Sequence, residues 1–118
     1  MLLHAERSVV RWKPEKAPTQ LTRLQRIADE ASRQSRRVWR VTIDAPVAAA
    51  DVLDRYVVAE PGGRRLAPDD RTVAIGPEGG WSPAELDIAR DIVTLGANVL
   101  RTETAAVALS ALCVAFDR

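Results

Sequence analysis

The chain is short of several things that would place it in a special class. It has one cysteine, Cys113, in 118 residues, so no internal disulfide can form. Its neighbours Leu112, Val114 and Phe116 make Cys113 read as a small buried apolar residue of a reducing compartment, and a cytoplasmic location is expected. No uninterrupted apolar run approaches the roughly 18 residues that a membrane span needs. The opening MLLHAERSVVRWK lacks a basic region followed by an apolar one. Neither secretion nor membrane insertion is expected, and no internal repeat, low-complexity segment or long linker is visible.

What is present is an ordinary globular composition, 47% hydrophobic and 28% charged, long enough for one domain with a modest core. The net charge is only +1, yet it is unevenly spread. Residues 1–40 hold ten Lys/Arg against four Asp/Glu, and the remaining 78 residues hold seven against twelve. Such asymmetry suits either a polyanion partner on one face or a solvated helix laced with ion pairs.

Leu21, Leu24, Ile27, Ala28 and Ala31 recur at helical spacing and predict a helix over about 19–36, with Thr19 as N-cap and a basic exposed end. Residues 38–43 alternate and are β-branched enough for a strand, and 48–55 suit a short helix. Strands are expected at 56–59, stopped by Pro61-Gly62-Gly63, and at 72–75. Ser82-Pro83-Ala84-Glu85 is a complete helix start, a capping box with proline at the first helical position. Leu86, Ile88, Ala89, Ile92 and Val93 give that helix an apolar side, and Gly96 is placed to end it. A short strand at 97–100 and a final helix at 105–116, apolar nearly all round and therefore needing enclosure, complete the pattern. Alternation of strands and helices predicts an α/β fold with a mostly parallel sheet flanked by helices.

Ligands of such sheets bind outside the carboxyl ends of the strands. Two segments fall there: Gly76-Pro77-Glu78-Gly79-Gly80-Trp81 and Leu100-Arg101-Thr102-Glu103-Thr104. The first has neither the spacing of a dinucleotide fingerprint nor the Gly-Lys-Ser/Thr of a P-loop. By itself it could be a turn; together the two loops can form one pocket.

"IGPEGGWSPAEL" at 75–86 followed by "LGANVLRTETAAVAL" at 95–109 closely resembles the signature of the RsmE family, ribosomal RNA uridine-N3 methyltransferases of the SPOUT superfamily. "AERSVVRW" at 5–12 and "RIADEASRQSRR" at 26–37 are similar to the family's segments at matching places. The resemblance covers essentially the whole chain. It implies a SPOUT fold with a C-terminal deep trefoil knot, a homodimer through the knot region, and S-adenosylmethionine held largely by backbone groups. The matching cofactor positions are Gly76, Gly79, Gly80, Leu95, Gly96, Val99 and Leu100, with Ala59 and Glu60 weaker candidates.

The implied substrate is a uridine of small-subunit (16S) ribosomal RNA, and no metal is needed. Arg101 and Glu103 are the catalytic candidates, as stabiliser of the uridine anion and as base, the alternative being that they pair with each other or with a second copy. Arg7, Arg11, Arg36 and Arg37 are the expected RNA phosphate ligands, since a guanidinium binds phosphate as a fork. Trp81 is expected to pack its loop against the domain. Family members are about twice as long, so the chain resembles a partial SPOUT domain over 1–118, without the PUA-like domain and the first strand and helix that precede it. The reading from another class is a non-catalytic knotted fragment that dimerises or binds RNA without methyl transfer.

Overall fold

The computed structural model describes residues 1–9 and 11–116. The chain divides into two compact units, residues 1–4 with 10–47 and residues 5–9 with 48–118.

In the first unit, β1 (Leu3–His4) leads to α1 (Ala17–Gln34), and Val47 at the start of β2 (Val47–Ala48) donates its N–H to Leu2 O at 3.1 Å. Lys16, not Thr19, is the N-cap, because Pro18 fits within the first turn, where a missing donor costs nothing. The strand expected at 38–43 does not form, and among the described residues no strand pairs with it. Its backbone is instead held by one side chain: Gln25 Nε2 donates to Val41 O at 2.7 Å, and Gln25 Oε1 accepts from Ile43 N at 3.0 Å. Arg40 adds a two-pronged pair with Asp29, Nε to Oδ1 at 2.9 Å and Nη2 to Oδ2 at 3.0 Å. That guanidinium, with help from Gln25, lowers the Asp29 carboxyl to about 2.

The second unit holds a three-stranded parallel sheet in the order β4 (Val73–Ile75), β3 (Val57–Arg65), β5 (Asp91–Thr94). Val57 pairs with Val73 on one side and with Asp91 on the other. Leu53, Val57, Val58 and Val93 are the largest fully buried side chains and centre the core on β3. The sequence at 48–55 forms two separate 3₁₀ turns, Ala49–Asp51 and Leu53–Arg55, rather than a helix.

Three further segments differ from what the sequence predicts. First, β3 does not stop at Pro61-Gly62-Gly63. Both Ala59 and Arg64 pair with Val93, so residues 60–63 bulge out and the strand resumes. A Cβ on Gly63 would stand 2.7 Å from backbone atoms of Ile92 and Val93, which is why only glycine closes the bulge. Second, α2 (Pro83–Ile88) is brief. Its capping box forms as expected, but Ile92, Val93 and Thr94 are β-branched and take up the open edge of β3 as β5. Gly96 therefore follows a strand, at φ +151°. Third, residues 97–100 are loop, with Val99 largely in solvent, and α3 starts earlier than expected, at Thr102, and runs to Phe116.

Candidate active site

The carboxyl ends of β3, β4 and β5 open into a cleft of about 480 Å³, within the size range of small-molecule sites. One wall is the segment Ile75 to Gly80 after β4, and the opposite wall is Thr94 to Thr102 after β5, with Asn98 and Val99 included. β3 supplies Ala59 and, from its bulge, Glu60 and Pro61 between them. The two loops thus leave the strands that flank β3 on either side.

Each wall is fixed from behind. Gly80 N donates to Pro77 O at 2.9 Å and closes a turn, with Gly80 at φ +70°. Trp81 is buried beneath it, as expected, and its Nε1 donates to Ala59 O at 3.3 Å, tying the loop to the central strand. Ser82 Oγ accepts from Glu85 N at 3.2 Å, and Glu85 Oε2 accepts from Ser82 N at 2.9 Å. The other oxygen of this buried carboxylate accepts from Glu6 N at 2.8 Å, so the capping box also fastens residues 5–8. On the far wall, Thr94 Oγ1 donates to Gly96 O at 2.7 Å, and Thr102 Oγ1 donates to Gly76 O at 3.0 Å, joining the start of α3 to the glycine loop.

The glycines have distinct reasons to be bare. A Cβ on Gly76 would lie 2.9 Å from the Trp81 Nε1, and one on Gly79 would lie 2.9 Å from the Arg7 carbonyl oxygen. Both are close approaches within the chain itself. Gly80 and Gly96 differ: a Cβ on either would meet nothing within 4 Å, and their left-handed φ values are what select glycine.

Of the sequence-derived cofactor positions, Gly76, Gly79, Gly80, Leu95, Val99 and Leu100 line the cleft, as do Ala59 and Glu60, whereas Gly96 is not among its lining residues. Arg101 lines it and is exposed; Glu103 is exposed on the first turn of α3, outside the lining. The base role expected of Glu103 therefore has no support from the geometry, and the carboxylates that do line the cleft are Glu60 and Glu78. Arg7 lies against the outside of the glycine loop, its Nη1 3.5 Å from Gly79 O. Arg11, Arg36 and Arg37 belong to the other unit and are exposed.

Sequence reasoning missed the group that anchors the bulge. Arg64 donates from Nη1 and Nη2 to the two oxygens of Asp70 at 2.8 and 2.7 Å, and from Nε to Asp91 Oδ2 at 2.7 Å. Asp70 also accepts from Ala67 N at 2.7 Å. These bonds lower the buried Asp70 carboxyl to about 2 and also depress that of Asp91. No spacing in the sequence links Arg64 with Asp91, 27 positions on.

The site can bind a flat, partly apolar group against backbone, with carboxylates able to face a positive centre and an arginine at the edge for an anion. No group of His, Cys, Asp and Glu among the described residues could hold a metal ion, and no described helix is long and apolar enough to cross a membrane.

Known proteins share this arrangement. The model of the RNA methyltransferase domain family matches residues 1–114. The ribosomal RNA small subunit methyltransferase E of Aquifex aeolicus is 35% identical over 105 residues, covering 77% of this chain and 46% of that protein. Among solved structures, a putative methyltransferase from Legionella pneumophila in complex with its bound cofactor SAM superposes with a TM-score of 0.84 at 26% identity, over 96% of this chain and 53% of that one. The ribosomal RNA small subunit methyltransferase E of Neisseria gonorrhoeae bound to S-adenosyl methionine gives 0.78 at 29%, over 93% and 51%. The chain spans about half the length of the relatives it matches. With its mixed α/β fold, parallel sheet and cleft at the strand ends, the chain belongs to the RNA methyltransferase domain family.

Proposed function

We propose that the chain is the catalytic portion of a S-adenosylmethionine-dependent methyltransferase acting on N3 of a uridine in small-subunit ribosomal RNA. The observation that carries this reading is the cleft itself: loops at the ends of the flanking strands enclose it, largely with backbone and aliphatic side chains. Main-chain donors and acceptors between aliphatic walls suit an adenosine. Leu95, Val99 and Leu100 supply one wall, Gly76 to Gly80 the other, and Glu60 and Glu78 place negative charge in the lining. S-adenosylmethionine supplies an activated methyl group, so the chain's own task is to orient donor and acceptor and to keep water out.

Methylation at N3 requires that nitrogen to lose its proton, which leaves negative charge on the uracil ring. Arg101, exposed at the cleft, is the residue we assign to stabilising that charge. The target base must leave any stack to reach the cleft. Arg7, Arg11, Arg36 and Arg37 are assigned to the RNA phosphates.

The proposed molecule is a cytoplasmic homodimer with a C-terminal trefoil knot. α3 supports the dimer: from Ala105 to Phe116 it is apolar nearly all round, yet Val107, Val114 and Phe116 are exposed, and such a helix needs cover. A chain that stays monomeric at micromolar concentration removes the dimer, and a crystal structure in which residues 102–116 thread no loop removes the knot. The activity is tested by incubating the chain with methyl-labelled S-adenosylmethionine and small-subunit RNA and digesting the product to nucleosides. Label in 3-methyluridine is the expected result; RNA without label contradicts the reading and leaves the non-catalytic fragment.

A further inference from the structure

We propose that the exposed turn at residues 36–39 is a docking platform for one unpaired nucleotide of an RNA strand, with Trp39 stacking on the base and Arg36 and Arg37 meeting the adjoining phosphates. This deepens the reading of the chain as acting on RNA and rests on it.

The first observation is exposure. Trp39 is 84% and Val38 93% in solvent, although tryptophan is among the residues that bury most surface on average. The second is charge. Among the described residues neither Arg36 nor Arg37 enters an ion pair, whereas Arg40 is neutralised by Asp29. An isolated aromatic beside two uncompensated guanidinium groups is the combination that binds single strands: the ring offers a face to any base and the cations follow the backbone. A protein partner would ask for a broad apolar surround, whereas the turn itself offers only Val38 beside Trp39, next to Arg36, Arg37 and Arg40.

The third observation is backbone conformation. Arg36 N donates to Arg33 O at 3.2 Å and Arg37 N to Ser32 O at 3.0 Å, the paired bonds of a Schellman cap ending α1. The cap puts Arg36 at φ +52°, the position where glycine is the usual choice and an L side chain is strained. An arginine there gives up some stability and places a cation at the start of the turn. Strain of this kind collects at functional sites. The other end is held as firmly, by the two bonds of Arg40 to Asp29 and by Gln25 on Val41 and Ile43. With both ends fixed to α1, the turn is ordered before anything binds, which limits the entropy lost on association.

The test uses the full chain and a fluorescent single-stranded oligouridylate, followed by anisotropy over a salt series. Trp39→Ala is expected to weaken binding about five- to hundredfold, the range for loss of one base stack, and Trp39→Phe to retain most of the affinity. Arg37→Gln is expected to lower the slope of log K against log salt by about 1, and Trp39→Ala to leave that slope unchanged. Arg36→Gly is expected to raise the melting temperature while weakening RNA binding, a split that a purely structural cap would not show. Wild-type affinity in Trp39→Ala overturns the platform. So does equal binding of duplex RNA, absence of RNA binding by the wild type, or a Trp39→Ala effect confined to oligomeric state. Failure of the enzymatic reading is separate: it is loss of methyl-donor binding or of methyl transfer, neither of which anisotropy measures.

Discussion

Arg64 joins three stretches of chain that the sequence keeps apart. Its guanidinium is shared between Asp70 and Asp91, so the strand resuming after the bulge, the turn before β4 and the start of β5 are held to one another. Asp70 is only 5% exposed, and its carboxyl is depressed from 3.8 to about 2, chiefly by its bonds to Arg64. A carboxyl whose folded pKa lies below its unfolded value stabilises the fold above the unfolded pKa, and that stability is lost as pH falls. Here the window runs from about 4 down to about 2, and the contribution at neutral pH is on the order of 2 kcal/mol. Asp70→Asn should lower the urea midpoint at pH 7 by an amount equivalent to about 2 kcal/mol and should flatten the loss of stability between pH 4 and 2. An unchanged midpoint at pH 7 would show that the triad contributes nothing net. Gly76 and Gly79 are bare for the sake of Trp81 and Arg7, and Gly80 for its φ, so a bulky residue at any of them would disturb the loop before it touched a ligand.

Elements were legible where the signal is local. The capping box at Ser82, the apolar stripe of α1 and the short strands at 57–59 and 73–75 follow from residue types a few positions apart. Elements whose form depends on a distant neighbour were not. Ile88, Ile92 and Val93 fit a helical period, but an open parallel edge at Val57 to Ala59 drew Ile92 and Val93 into β5. The alternation at 38–43 met no such edge and stayed irregular. The resumption of β3 after Gly63 was hidden because Pro-Gly-Gly is also the pattern of a stop. Val107 is 71% exposed on an otherwise apolar helix, so Val107→Glu should leave monomer stability within about 0.5 kcal/mol of wild type. If the helix is a dimer face, light scattering should find the wild type at twice the 12.9 kDa chain mass and the variant at the single mass. A wild type and a variant of the same mass, whichever mass it is, would contradict this.

For the molecule as a whole, the site was more legible than the topology. The two loop motifs named most of the lining residues from sequence, since chemistry at a strand end is written in consecutive residues. How the strands are ordered is not local information, and neither is the contribution of Pro61, which joins Ala59 and Glu60 at the cleft where the strand bulges. The central claim is that the cleft beyond the ends of β4 and β5 receives the methyl donor, and Leu100, in its apolar wall and only partly buried, is the place to challenge it. Calorimetric titration of S-adenosylmethionine into the wild-type chain and into Leu100→Asp tests it most directly. The account predicts saturable one-site binding by the wild type and at least a tenfold loss in the variant, about 1.4 kcal/mol or more, with the melting temperature little changed. No binding by the wild type, or equal affinity in the two proteins, would contradict it.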